Sequence, residues 1–145
     1  MKPPEAAIHF FSEGIEFQLS QVKKIKAWIK SCLDQEGKNL GVLNYIFCQD
    51  DYLLHLNQKH LNHNSLTDII TFNYVENNCI SADIFISIER VKENAIALDQ
   101  AFEIELSRVI IHGILHLIGY NDHSREEKEE IRAKEDFYLA LLFEN

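Results

Sequence analysis

The chain has 145 residues, 46% of them hydrophobic, with 5 Gly, 2 Pro and 3 Cys; this excludes disordered, collagen-like and low-complexity classes and leaves room for one hydrophobic core. No stretch approaches the ~20 apolar residues that span a bilayer, and no apolar signal-peptide core follows Met1-Lys2-Pro3-Pro4-Glu5, so a cytoplasmic protein is expected. The net charge of −9, from 23 acidic and 14 basic residues, argues against indiscriminate polyanion binding, which depends on Lys and Arg neutralising phosphates.

In chain order, residues 7–11 carry strand character through Ile8, Phe10 and Phe11, and residues 15–19 are placed to pair with them across Ser12-Glu13-Gly14. Ser20 is the expected N-cap of a helix to about residue 35, with Val22, Ile25, Ile29, Cys32 and Leu33 as its core stripe. Lys23, Lys26 and Lys30 lie on another face of that helix. Residues 41–48 read as a strand, and Asp50 or Asp51 is expected to cap a short helix through His60. β-Branched and aromatic residues crowd 67–74 and again 80–87; the polar Glu76-Asn77-Asn78 between them predicts an antiparallel hairpin.

Three helices are then expected, over about 89–98, 102–118 and 125–143. The last opens on Ser124-Arg125-Glu126-Glu127, a capping box in which Ser and Glu satisfy each other's backbone donors. The element order predicts a single α+β domain over residues 1–145, with a mixed sheet of about four strands packed by about five helices. Cys32, Cys48 and Cys79 are odd in number and far apart. They are expected as reduced thiols in the core, not as disulfides or metal ligands.

The segment carrying chemistry runs from His112 to His123. His112 and His116 are four apart on an apolar helix, so both imidazoles share one face and can grip one cation. Gly119 follows the last periodic residue, where a helix ends in a left-handed bend that Gly adopts without strain. Beyond the bend, Asp122 or His123 can return toward the same ion. Three protein ligands with a fourth position open describe a catalytic zinc site. Gly113 occupies the place where His-Glu-x-x-His zinc proteases carry their general base, which disfavours that mechanism. His9, His55, His60 and His63 read as ordinary histidines, although His60 and His63 fall near a second stretch of interest.

Residues 112–123 resemble the His-Gly-x-Leu-His-Leu-x-Gly-Tyr signature of the YbeY family, bacterial metal-dependent endoribonucleases of ribosomal RNA maturation. Leu56-Asn57 with Thr67-Asp68-Ile69-Ile70-Thr71-Phe72 is similar to a second family block, and Ala82-Asp83-Ile84-Phe85-Ile86-Ser87 to a third. The resemblance implies a zinc ion, or another divalent transition metal, and cleavage of single-stranded RNA, with ribosomal RNA and the small ribosomal subunit as partners. His112 and His116 match the first two ligands. Aligned without a gap, Asp122 falls on the third; with a one-residue insertion, His123 does.

The family's Arg four residues after the Asn of the second block is replaced here by Leu61. Phosphate contacts are therefore expected from Lys59, His60 or His63, or from the metal. Asp68 is the candidate catalytic residue, orienting a ligand histidine or receiving a proton, and Asp83 is ambiguous in the same way. The acidic charge requires a locally positive cleft, or use of the helix carrying Lys23, Lys26 and Lys30. Two other classes fit parts of the pattern. One is a non-catalytic ribosome-assembly or RNA-binding factor with a structural metal; the other is a metal-dependent hydrolase of small molecules or peptides.

Overall fold

Alternating burial along four strands and a nearly all-round apolar helix set the architecture. The structure, a computed structural model, describes residues 5–61 and 67–143, and the side chains of His60 and Leu61 lie outside that description. The elements run β1 (Ala7–Ser12), α1 (Val22–Gln35), β2 (Asn39–Cys48), α2 (Asp50–Leu61), β3 (Ile69–Asn73), β4 (Cys79–Ser87), α3 (Ile88–Ala97), α4 (Phe102–Leu117) and α5 (Arg125–Phe143). The sheet order is β1-β2-β4-β3. β1 and β4 flank β2 in parallel, and β3 closes on β4 as the expected antiparallel hairpin. This is an α+β fold with a four-stranded mixed sheet and five helices among the described residues.

Strand side chains alternate between faces. On one face Leu43, Tyr45 and Phe47 of β2 and Ile80, Ala82, Ile84 and Ile86 of β4 enter the main core. There they meet Ile25, Trp28, Ile29 and Leu33 of α1, and buried residues of α3, α4 and α5. The Trp28 indole donates to the Tyr138 carbonyl at 2.7 Å, tying α1 to α5. Leu53 and Leu56 of α2 instead join Cys48, Ile70, Phe72 and Phe85 in a smaller cluster. Within α4, ten of sixteen residues are buried, which makes it the central helix. Its fit against the sheet is close: a Cβ at Gly113 would lie 2.9 Å from Ile69 Cδ1, so glycine lets α4 approach β3.

Four local expectations are corrected. Residues 15–19 form no strand; β1 takes β2 as its partner, because Phe17 turns inward to meet Phe47 and Phe102 edge-on, with ring centroids 5.0 and 6.1 Å away. Ser20 does not cap α1. The helix starts from Gln21, whose backbone is left-handed (φ 55°, ψ 46°) and whose carbonyl accepts from Ile25 N–H. Neither Asp50 nor Asp51 precedes α2, since Gln49 supplies the first accepting carbonyl. Asp50 instead accepts from Ser87 Oγ at 2.7 Å and pairs with Arg90 at 3.2 Å. Cys32 and Cys48 are buried, but Cys79 is exposed at the hairpin end, and all three are free thiols. Among the described residues, no helix is long and apolar enough to cross a membrane.

Candidate metal centre

Arg108, His112 and His116 recur every four residues of α4 on a half-buried stripe, while the residues between them are buried. The i, i+4 spacing brings the two imidazoles together, with ring centroids 4.5 Å apart. The helix then stops in a Schellman turn. Gly119 N–H donates to the His116 carbonyl and Tyr120 N–H to the Leu115 carbonyl, and Gly119 takes φ +115°, a conformation open to glycine. Tyr120 pins the turn by donating to Glu36 at 2.8 Å. Tyr138 and Lys134 Nζ also donate to Glu36. Burial works to raise the Glu36 pKa, but these donors outweigh it and hold the carboxyl below its ordinary value.

That bend returns Asp122 to the histidines. His112 Nε2 lies 3.0 Å from His116 Nε2, His116 Nε2 lies 3.3 Å from Asp122 Oδ2, and His112 Nε2 lies 3.7 Å from Asp122 Oδ2. For ligand bonds of about 2.0–2.1 Å, the edge of a tetrahedron is about 3.3 Å, and the three separations bracket that value. Of the two candidates beyond the bend, Asp122 joins the cluster, whereas His123 is exposed.

The proton on His112 is assigned by its other neighbour. Glu135 Oε2 lies 2.6 Å from His112 Nδ1. A carboxylate only accepts, so Nδ1 carries the hydrogen and the Nε2 lone pair faces His116 and Asp122. Three electron-rich atoms pointed at one another repel unless a cation or proton lies among them, so the donor set fits a divalent ion. Glu135 is itself held by Arg108, which donates to it at 3.0 Å and to Asp136 at 3.0 Å. Burial opposes protonation of His112, yet Glu135, Asp68 and Asp122 together raise its pKa above the ordinary value.

Asp68, at the foot of β3, lines a cleft of about 420 Å³ with Thr71, His112, His116 and Asp122. Burial pushes its carboxyl pKa up, partly countered by His112, and Asn94 Nδ2 donates to it at 3.5 Å. Lys59 is exposed on α2 and is not among the residues lining this cleft. His63 and the side chains of His60 and Leu61 lie outside the described residues. Asp83 accepts from Asn44 Nδ2 at 3.0 Å and Tyr74 OH at 3.4 Å, a role within the sheet. Lys26 and Lys30 line a separate concavity with His9.

Sequence reasoning missed Glu135 and Arg108. The signal was present in α5, where Ile131, Glu135, Tyr138 and Leu142 recur at helical spacing and are all buried. An acid inside an apolar stripe needs a partner.

Comparison with known proteins gives a consistent result. The family model for Endoribonuclease YbeY matches residues 9–142. A Flavobacterium johnsoniae protein named Endoribonuclease YbeY is 47% identical over 91% of this chain and 95% of its own. One of the same name from Amoebophilus asiaticus is 47% identical over 94% and 93%. A Thermotoga maritima protein solved in solution superposes with a TM-score of 0.66 at 28% identity, covering 94% of this chain and 89% of that one. By the match across nearly its whole length, the chain belongs to the YbeY endoribonuclease family.

Proposed function

We propose that the protein is a metal-dependent endoribonuclease that cleaves single-stranded RNA during ribosomal RNA maturation. In this reading it acts in the cytoplasm at the small ribosomal subunit, with one zinc ion held by His112, His116 and Asp122. The observation that carries it is the convergence of His112 Nε2, His116 Nε2 and Asp122 Oδ2, all within 4.8 Å of one another, in a chain of this family. The chemistry such an ion supplies when bound is polarisation of a phosphoryl oxygen and acidification of water.

The chain's own residues do the rest. Glu135 fixes the tautomer of His112, and Arg108 fixes Glu135. Asp68 shares the cleft, where burial raises its carboxyl pKa, and a carboxyl in that position can take up and return a proton. Gly113 contributes no base, because it has no side chain, and a Cβ there would already meet Ile69 Cδ1 at 2.9 Å.

The test is elemental analysis of the purified protein, paired with cleavage of a single-stranded oligoribonucleotide before and after chelation. Support is about one equivalent of metal and cleavage lost with it, while the metal-free protein stays folded. Loss of folding with the metal instead marks a structural ion.

A further inference from the structure

An acidic chain that cuts RNA must place its few free cations where the strand runs. Lys26 and Lys30 of α1 line a different concavity, and Lys24 another, so these do not supply the cleft beside His112. The cleft on the α5 side of His112 is lined by Asp68, Glu105, Arg108, His112, Asp122, Lys128, Arg132 and Glu135. Of its three cations, Arg108 is already committed to Glu135 and Asp136. Elsewhere, Arg90, Arg125 and Lys134 pair with Asp50, Glu129 and Glu36. Neither Lys128 nor Arg132 has a carboxylate within 4.0 Å among the described residues.

Lys128 and Arg132 are exposed and one turn apart on α5, so their side chains leave the same face about 6 Å apart. That face borders the cleft beside Asp122 and His112. The cleft's remaining charged groups are carboxylates, which would repel a polyanion unless cations lined its rim.

We propose that Lys128 and Arg132 form a two-cation rail on the first turns of α5 that binds backbone phosphates of the single-stranded RNA next to the scissile bond. It serves the phosphate-binding need left by Leu61, and it rests on the endoribonuclease reading above. The rail contacts phosphates and not bases, so its contribution is independent of sequence and screened by salt.

The experiment uses zinc-loaded full-length protein and a fluorescent single-stranded oligonucleotide bearing 2′-O-methyl groups. Binding is read by anisotropy over a range of salt concentrations, with metal content measured on each sample. K128A and R132A each weaken binding about threefold and the double variant about tenfold; the double variant also reduces the slope of log affinity against log salt by about 1.4, at ~0.7 per phosphate contact. Zinc content stays at the wild-type level, and Arg125→Ala, which removes a charge from the same helix, changes affinity less than twofold. A double variant that binds within twofold of wild type, or an Arg125→Ala loss equal to that of Lys128→Ala, overturns the rail. Binding with the expected losses but no cleavage of the unmodified strand leaves the rail standing and refutes the endoribonuclease reading instead.

Discussion

Replacing Glu135 tests how the site is held, because this buried carboxylate is bound to His112 Nδ1 and to Arg108. In Glu135→Gln the amide oxygen still accepts the Nδ1 hydrogen, so the tautomer survives while the negative charge is lost. Loss of a partner behind a ligand histidine weakens metal binding about 10–100-fold, equivalent to about 1.4–2.7 kcal/mol. The lower end applies to Gln, which keeps the hydrogen bond. Glu135→Ala removes the acceptor altogether and leaves Arg108, only 12% exposed, with Asp136 and the more distant Glu105 at 3.9 Å. Breaking a buried ion pair from one side costs about 3–5 kcal/mol, so the Ala variant loses stability as well as affinity. Competition with a chromophoric zinc chelator at pH 7.5 measures affinity, and urea titration measures stability. Wild-type zinc affinity in both variants would refute the assignment of Glu135 as the group that orients His112.

Asp122→Ala lowers zinc affinity by at least tenfold in the same competition assay, while His123→Ala stays within about twofold; the reverse order contradicts the geometry of the turn. The metal-free protein loses stability as pH rises. Its His112 pKa is raised in the folded state above the ordinary 6.5, so the folded chain holds this proton more tightly. That stabilisation is complete below about pH 6.5 and disappears as pH passes the folded value. Urea midpoints falling from pH 6.5 upward, with a flatter profile in Glu135→Gln, are the expected outcome; a midpoint that rises with pH in that window contradicts it. Ser124→Ala removes the acceptor of Glu127 N–H at 3.1 Å and costs about 1 kcal/mol, read by urea denaturation with metal binding unchanged.

What was legible in the sequence were features that depend on near neighbours. The i, i+4 histidines, the glycine stop and the Ser124 capping box are each written within one or two helical turns, and the structure places them as read. The sheet was legible as strands but not as neighbours. β1 is separated from β2 by a whole helix, and nothing local in residues 15–19 states that Phe17 prefers the interior to a hairpin ladder. Asp50 illustrates the same limit, because the Ser87 and Arg90 groups that draw its side chain away from capping are about forty residues distant in sequence. At the site, two acceptable third ligands differ by one position. Only the path of the Gly119–Tyr120 turn, fixed through Glu36 just past the end of α1, brings Asp122 inward and leaves His123 exposed. Glu135 looked like one more residue of an acidic helix until its burial opposite His112 and Arg108 was known.

The most direct measurement is anomalous diffraction at the zinc edge from a crystal of the zinc-loaded protein. A single strong peak about 2.0–2.1 Å from His112 Nε2, His116 Nε2 and Asp122 Oδ2, with the remaining ligand positions held by solvent, is the predicted result. A fully loaded crystal whose zinc peak lies elsewhere, or whose histidine rings turn away from one another, would contradict the account.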